Sequence, residues 1–249
     1  MPQSTKQVIK INETDLYYET HGQGKPLLIL HGFLGSSAGL AETFDQLTQA
    51  YQLIIPDLPG HGHSTSHKDR VFTFKRVADD LLCLLEQLNI NCIDAIGLSG
   101  GGNGLLHMAS QQPQRFQSLA LVSATAYYPE QARNLMRQFY LSEENQTEWL
   151  DLLKIHHFGK EQVQRLIEQA RCFSEDYTDM NFKADRLSTI SAKTLIMHGD
   201  RDPFYGVESS LDLFHSIPNS SLWVVPNGGH VPLSKDIVQA FIAYILKNF

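Results

Sequence analysis

Cysteine is scarce: Cys83, Cys92 and Cys172 stand alone in 249 residues, odd in number and scattered. That excludes a disulfide framework and offers none of the paired spacings of a zinc site. No apolar run is long enough to cross a bilayer, and no apolar signal stretch follows Met1-Pro2-Gln3-Ser4-Thr5-Lys6. Dense Lys/Arg runs are missing too, and the formal net charge of −7 argues against a nucleic-acid surface. Tandem repeats and low-complexity segments are absent. These absences lead us to expect a cytoplasmic chain that handles a small molecule, with no nucleic-acid partner, no membrane span and no protein partner inferred.

What is present is apolar material in a regular rhythm. At 42% hydrophobic, the chain can bury a large core, and its length suits one α/β domain with an insertion. Gln7–Ile11 and Leu16–Thr20 read as a hairpin about the polar turn Asn12-Glu13-Thr14-Asp15. Pro26–Leu30, Gln52–Pro56, Ile93–Leu98, Leu119–Ser123, Thr194–Met197 and Leu222–Val225 are short continuous apolar runs of the kind buried in a parallel sheet. Phe74–Leu88, Asn103–Gln112 and Ile237–Leu246 carry helical spacing. The alternation predicts a mostly parallel sheet with helices on both faces and an antiparallel hairpin at one edge. It breaks between Ala126 and Arg186, which shows helical patterns and no strand. We therefore expect a core of residues 1–125 and 187–249, with residues 126–186 inserted as a helical cap.

Three loop signatures carry chemistry. Gly97-Leu98-Ser99-Gly100-Gly101 follows an apolar run and precedes a helical pattern. Gly-x-Ser-x-Gly alone arises by chance in roughly one chain of this size in ten, but strand, sharp turn and helix is the context a nucleophilic serine needs. A serine hydroxyl needs a base, and His230 lies in the loop Pro226-Asn227-Gly228-Gly229-His230 after the last predicted strand. The base needs a carboxylate to fix its tautomer. Asp202 is favoured over Asp200, because the loop must carry the carboxylate past the strand end; Asp200 is expected to support the loop by hydrogen bonds. A tetrahedral intermediate needs donors. Gly100 N–H, after the nucleophile, and Phe33 N–H, in the loop His31-Gly32-Phe33-Leu34-Gly35-Ser36, are the expected oxyanion pair, with His31 bracing that loop.

Taken in order, the His31–Gly35 loop, Asp57-Leu58-Pro59-Gly60-His61-Gly62-His63-Ser64, the Ser99 motif, the Asp202 loop and Gly229-His230 resemble the α/β-hydrolase superfamily over nearly the whole chain. The resemblance implies an eight-stranded sheet with a cap between strands six and seven, and catalysis without a cofactor. His31–Ser36 and Asp57–Ser64 are similar to the menaquinone-pathway synthase branch. That branch usually has a bulky residue after the nucleophile and an arginine beyond the glycines, where this chain has Gly100 and Asn103. Carboxylesterases such as the pimeloyl-carrier methyl esterases also look similar, but the acidic balance of residues 126–186 fits an acidic carrier poorly. The implied function is a serine hydrolase cleaving a small or medium carboxylic ester. Thioesterase, lactonase, C–C hydrolase or lyase chemistry on the same residues, and a ligand receptor with slow turnover, are the alternatives.

His61, His63 and His67 cluster, but the first two belong to the Pro-Gly-His-Gly-His turn and no carboxylate motif frames a metal; none is expected. His156-His157 reads as a solvated helix end. The aromatics of residues 126–186 include Phe139, Tyr140, Trp149, Phe158 and Phe173, and read mainly as packing. Tyr127 and Tyr128, at the entry to the insertion, are the expected substrate-binding residues.

Overall fold

A computed structural model describes residues 4–66, 71–139 and 146–249. Strands β1 (Ser4–Ile11) and β2 (Thr14–His21) form the opening hairpin, turning at Asn12 with φ 51°. There follow β3 (Lys25–Leu30), α1 (Leu40–Thr43), β4 (Tyr51–Pro56), α2 (Phe74–Gln87), β5 (Ile93–Leu98), α3 (Gly100–Gln111) and β6 (Phe116–Val122). Helices α4 (Glu130–Gln138), α5 (Gln146–Ile155), α6 (Lys160–Cys172) and α7 (Ala184–Leu187) lie between β6 and β7 (Lys193–Gly199). Helix α8 (Val207–Ser216), strand β8 (Ser220–Val225) and helix α9 (Lys235–Asn248) complete the chain.

The eight strands form one sheet in the order β1-β2-β4-β3-β5-β6-β7-β8. The hairpin joins antiparallel to β4, and the remaining pairs are parallel. This is the α/β-hydrolase fold, with the eight-stranded, mostly parallel sheet and edge hairpin that the apolar rhythm predicts. The sheet separates two apolar layers, and each strand feeds both because side chains alternate. Leu28 and Leu30 of β3 and Leu119 and Leu121 of β6 pack beneath α2 and α3. Leu27 and Ile29, with Ala120 and Val122, face Phe241, Ile242 and Ile245 of α9. A leucine or isoleucine buried to this degree contributes about 1.5–3 kcal/mol.

Helix α2 buries Val77, Ala78, Leu81, Leu82, Leu84 and Leu85 along one stripe. Thr73 caps it by accepting from Arg76 N–H at 3.2 Å. Its first amides, Phe74 and Lys75, donate to the Asp179 carboxylate, so a negative side chain from between α6 and α7 closes the positive helix end. Helix α8, which buries Ser209, Ser210 and Leu213, lies outside the helical patterns read from the sequence.

From β3 the chain steps to β4 on one side, then crosses to β5 on the other. That reversal opens a crevice at the C-terminal ends of β3 and β5, where open α/β sheets place their ligands.

Candidate active site

The crevice is built around a strained serine. Ser99 sits between β5 and α3 with φ 50° and ψ −116°, and its N–H donates to Val122 O at 2.7 Å. Such a conformation costs of order 1–3 kcal/mol and persists only where neighbours enforce it. A Cβ on residue 97 would stand 2.6 Å from the Gly102 backbone, and one on residue 101 would stand 2.4 Å from Leu30 O. Glycine is therefore required at both places. The same packing starts α3 at Gly100, three residues before the expected Asn103, overriding the low helix propensity of glycine.

Three side chains from three loops converge. His230 Nε2 lies 2.7 Å from Ser99 Oγ, and His230 Nδ1 lies 2.7 Å from Asp202 Oδ2. A carboxylate facing Nδ1 puts the proton there and leaves Nε2 free to accept from the serine hydroxyl. Asp202 is buried, and its other oxygen accepts from the amides of Phe204 at 2.8 Å and Tyr205 at 3.2 Å. Burial opposes ionisation of this carboxyl, but the His230 hydrogen bond and charge, with the two amides, hold it below the usual aspartate range. Asp200 takes no such part. Its carboxylate Oδ1 is buried without a hydrogen-bond partner and lies 3.9 Å from Arg201 Nε; the loop is held by backbone bonds such as Asp200 N–H to Val225 O, not by the side-chain bonds expected of Asp200. Sequence reasoning also missed Ser123. With φ 51° at the end of β6, its hydroxyl accepts from the Val231 amide at 3.0 Å and so pins the residue after His230.

Two backbone amides lie beside Ser99. Phe33 N is 3.0 Å from where a Cβ on Gly100 would project, and a Cβ on Gly32 would stand 3.4 Å from Ser99 Cβ. The Phe33 loop is firmly braced. His31 donates from Nδ1 to Gly32 O at 2.8 Å and accepts Leu58 N–H at Nε2, 2.9 Å. Burial lowers its pKa and favours the neutral ring that these bonds need. Asp57 accepts the Ser37 and His63 amides. Leu34, next to Phe33, takes φ 67°.

The strongest departure from expectation is His156. It is fully buried, not a solvated helix end. Its Nε2 donates to Leu34 O at 3.1 Å, and its Nδ1 accepts Gly62 N–H at 2.9 Å. Burial drives its pKa down to about 4. His157 instead stacks on His63 at 3.6 Å, and His63 stacks on Tyr17 at 4.4 Å. His61 packs edge-on to Phe33 and gives Nδ1–H to Pro59 O. These histidines are spent on stitching loops, and His67 lies outside the described residues.

A cavity of about 270 Å³ opens over Ser99 and His230. Its walls are mostly apolar: Phe33 and Phe74 from the sheet side, and Met136, Phe139, Ala170 and Phe173 from the segment between β6 and β7. Tyr128 lines it and is 4% exposed. Tyr127 does not, which corrects the expectation. It is 40% exposed, donates its hydroxyl to Asp212 at 3.1 Å, and bridges Asn181 through its backbone. Successive residues of extended chain face opposite ways, so one of the two tyrosines had to turn out. Trp149 packs with Val163 and Ile167, Phe158 is exposed, and Tyr140 lies outside the described residues. Asn103, Phe204 and Tyr205 also line the cavity; no sequence signal marked the last two.

A family model for the alpha/beta hydrolase fold matches residues 25–147. With the sheet order, this supports a member of the α/β-hydrolase superfamily. It is 25% identical to the pimeloyl-[acyl-carrier protein] methyl ester esterase of Nitrosospira multiformis, over 95% of this chain and 99% of that protein. It is 24% identical to the 2-hydroxy-6-oxo-6-phenylhexa-2,4-dienoate hydrolase of Burkholderia cepacia, over 91% and 90%. Among solved structures, a meta-cleavage product hydrolase from Pseudomonas fluorescens superposes with TM-score 0.76 at 20% identity, covering 98% of both chains. These relatives are hydrolases. No helix among the described residues is long and apolar enough to cross a membrane.

Proposed function

We propose that the chain is a serine hydrolase cleaving small or medium carboxylic esters through an acyl-enzyme on Ser99. The observation that carries this reading is the continuous 2.7 Å path from Ser99 Oγ through His230 to Asp202. Ser99 Oγ attacks the ester carbonyl while His230 Nε2 takes its proton. The carbonyl oxygen becomes an oxyanion facing the Phe33 and Gly100 amides. Asp202 holds His230 in the required tautomer and offsets the imidazolium charge. The intermediate collapses, the C–O bond to the alcohol breaks, and His230 returns the proton to the leaving oxygen. Water, deprotonated by His230, then attacks the acyl-enzyme and releases the acid and Ser99.

Residues 126–186 act as the cap in this reading, with Met136, Phe139 and Phe173 excluding water from the acyl-enzyme and binding the acyl chain by burial. The reading needs no cofactor. Cleavage of a C–C bond next to a ketone uses the same serine and histidine, and the Burkholderia relative gives that alternative its support. Labelling with a fluorophosphonate tests the core claim. Ser99 should be modified, labelling should vanish in Ser99→Ala, and p-nitrophenyl butyrate should be turned over only by the parent. Labelling that survives in Ser99→Ala would overturn it.

A further inference from the structure

The apolar cavity contains one polar island. Asn103 lies one turn beyond Ser99 on α3 and is 1% exposed. Its Oδ1 accepts Thr125 N–H at 3.1 Å, which directs the amide nitrogen the other way. Asn103 stands near enough to Tyr128 and Tyr205 that its side-chain amide opposes the rise burial gives their phenol pKa values. These two rings lie nearly parallel, 6.5 Å apart, and each is 4% exposed. Tyr128 comes from the start of the cap segment and Tyr205 from the loop that carries Asp202.

A phenol hydroxyl has its own proton to give. Burial raises both phenol pKa values, so both stay protonated. All three residues line the cavity, and among the described residues no Lys, Arg, Asp or Glu lines it with them. The island therefore offers hydrogen-bond donors without a compensating cation, within mostly apolar walls. Buried donors left without an acceptor are costly. A neutral oxygen acceptor suits the island, whereas a carboxylate would enter with no charge partner.

We infer that the Asn103–Tyr128–Tyr205 island selects substrates whose acyl chain carries a second, neutral oxygen acceptor, a ketone or ether, a few bonds from the scissile carbonyl. The reach follows from the helix: four residues rise about 6 Å, which matches an oxygen on about the fourth carbon. The inference rests on the ester-hydrolase reading above.

The test compares p-nitrophenyl 4-oxopentanoate with p-nitrophenyl pentanoate in the parent, Tyr128→Phe, Tyr205→Phe and the double variant. The quantity read is the ratio of kcat/KM for the two esters, which cancels leaving-group reactivity and any loss common to both. Each hydroxyl removed should lower the oxo-to-plain ratio by roughly 5- to 10-fold, the worth of one neutral hydrogen bond. Asn103→Leu should lower it as well. Tyr→Phe variants keep the ring packing, and fluorophosphonate labelling of Ser99 reports that they remain folded. A ratio unchanged within twofold in the double variant, with Ser99 labelled and pentanoate turned over, overturns the inference and leaves the ester-hydrolase reading standing. Absence of labelling and pentanoate turnover in the parent overturns both.

Discussion

His156 Nε2 donates to the carbonyl oxygen of Leu34 across 122 residues of sequence. Leu34 holds a left-handed backbone that a leucine adopts only under constraint, and it follows the Phe33 amide directly. The bond from His156 supplies part of that constraint. His156→Leu should therefore release the loop, lowering kcat about tenfold or more with a smaller change in KM, because a misplaced Phe33 amide weakens transition-state binding more than ground-state binding. His156→Gln, which can donate and accept at similar reach, should recover part of the loss. Steady-state kinetics with p-nitrophenyl butyrate decide it, and equal losses in both variants would refute a hydrogen-bonding role.

The same histidine sets a pH dependence of stability. Its folded pKa is about 4, against about 6.5 for a free imidazole. Between those values the unfolded chain binds a proton that the folded chain does not. Stability is thus complete above about pH 6.5 and declines as pH falls toward 4. Burial pushes His31 and His61 the same way, so the parent should lose stability steeply. His156→Gln should remove about one proton from that slope, roughly 1.4 kcal/mol per pH unit. Urea unfolding at pH 5 and pH 7 measures it, and parallel slopes in parent and variant would contradict the assignment.

The two aspartates of the β7 loop should separate cleanly. Asp202→Asn leaves His230 Nδ1 facing a group that can hold it in the wrong tautomer. In the serine-protease triad such a change lowers kcat by about 10⁴, and a loss of several orders of magnitude is expected here. Asp200→Asn should leave kcat within a fewfold, since its carboxylate touches neither His230 nor Ser99. A larger loss at 200 than at 202 would reverse the roles.

A methyl group at residue 100 is a sharp probe of the amide pair. Its Cβ would stand 3.0 Å from both Phe33 N and the Phe74 ring, closer than such atoms normally approach. Gly100→Ala should push the Phe33 loop back and lower kcat, while Ser99 is still labelled slowly by a fluorophosphonate. Unchanged kcat would show that the loop can yield without consequence.

Acyl-length preference should respond to Phe173→Ala and not to Tyr127→Ala. Phe173 lines the cavity, and enlarging it there should shift the preference toward longer chains by about one or two methylenes, each worth about 0.8 kcal/mol. Tyr127 faces Asp212, so its removal should leave the length profile intact. Profiles from acetate to decanoate distinguish these outcomes.

The strands and the three loops that bring Ser99, Asp202 and His230 together are legible in sequence because each has a local cause. Apolar runs of four to six residues read as buried strands, and the glycines around Ser99 mark a turn too tight for side chains. What stays hidden depends on distant partners. Nothing near His156 announces Leu34 or Gly62, which become its neighbours only when the segment between β6 and β7 meets the loop after β3. Tyr127 and Tyr128 are chemically equal in sequence, and only the bridge from Tyr127 to Asn181 decides which one turns inward. Asn103 is visible as a departure from the related branch, but Tyr128 and Tyr205, which line the cavity with it, stand 25 and 102 residues further along the chain.

The reversal of strand order between β3 and β5 has an evolutionary corollary. Phe33 and Gly100 are delivered by two strands bonded edge to edge, so their spacing is inherited from the sheet ladder, about 4.8 Å between chains. Residues 126–186 bear on it through His156, whose bond to Leu34 O braces the Phe33 loop. Drift, insertion or exchange elsewhere in that segment can reshape the cavity wall while Ser99 and the two amides keep their gauge, provided His156 is spared.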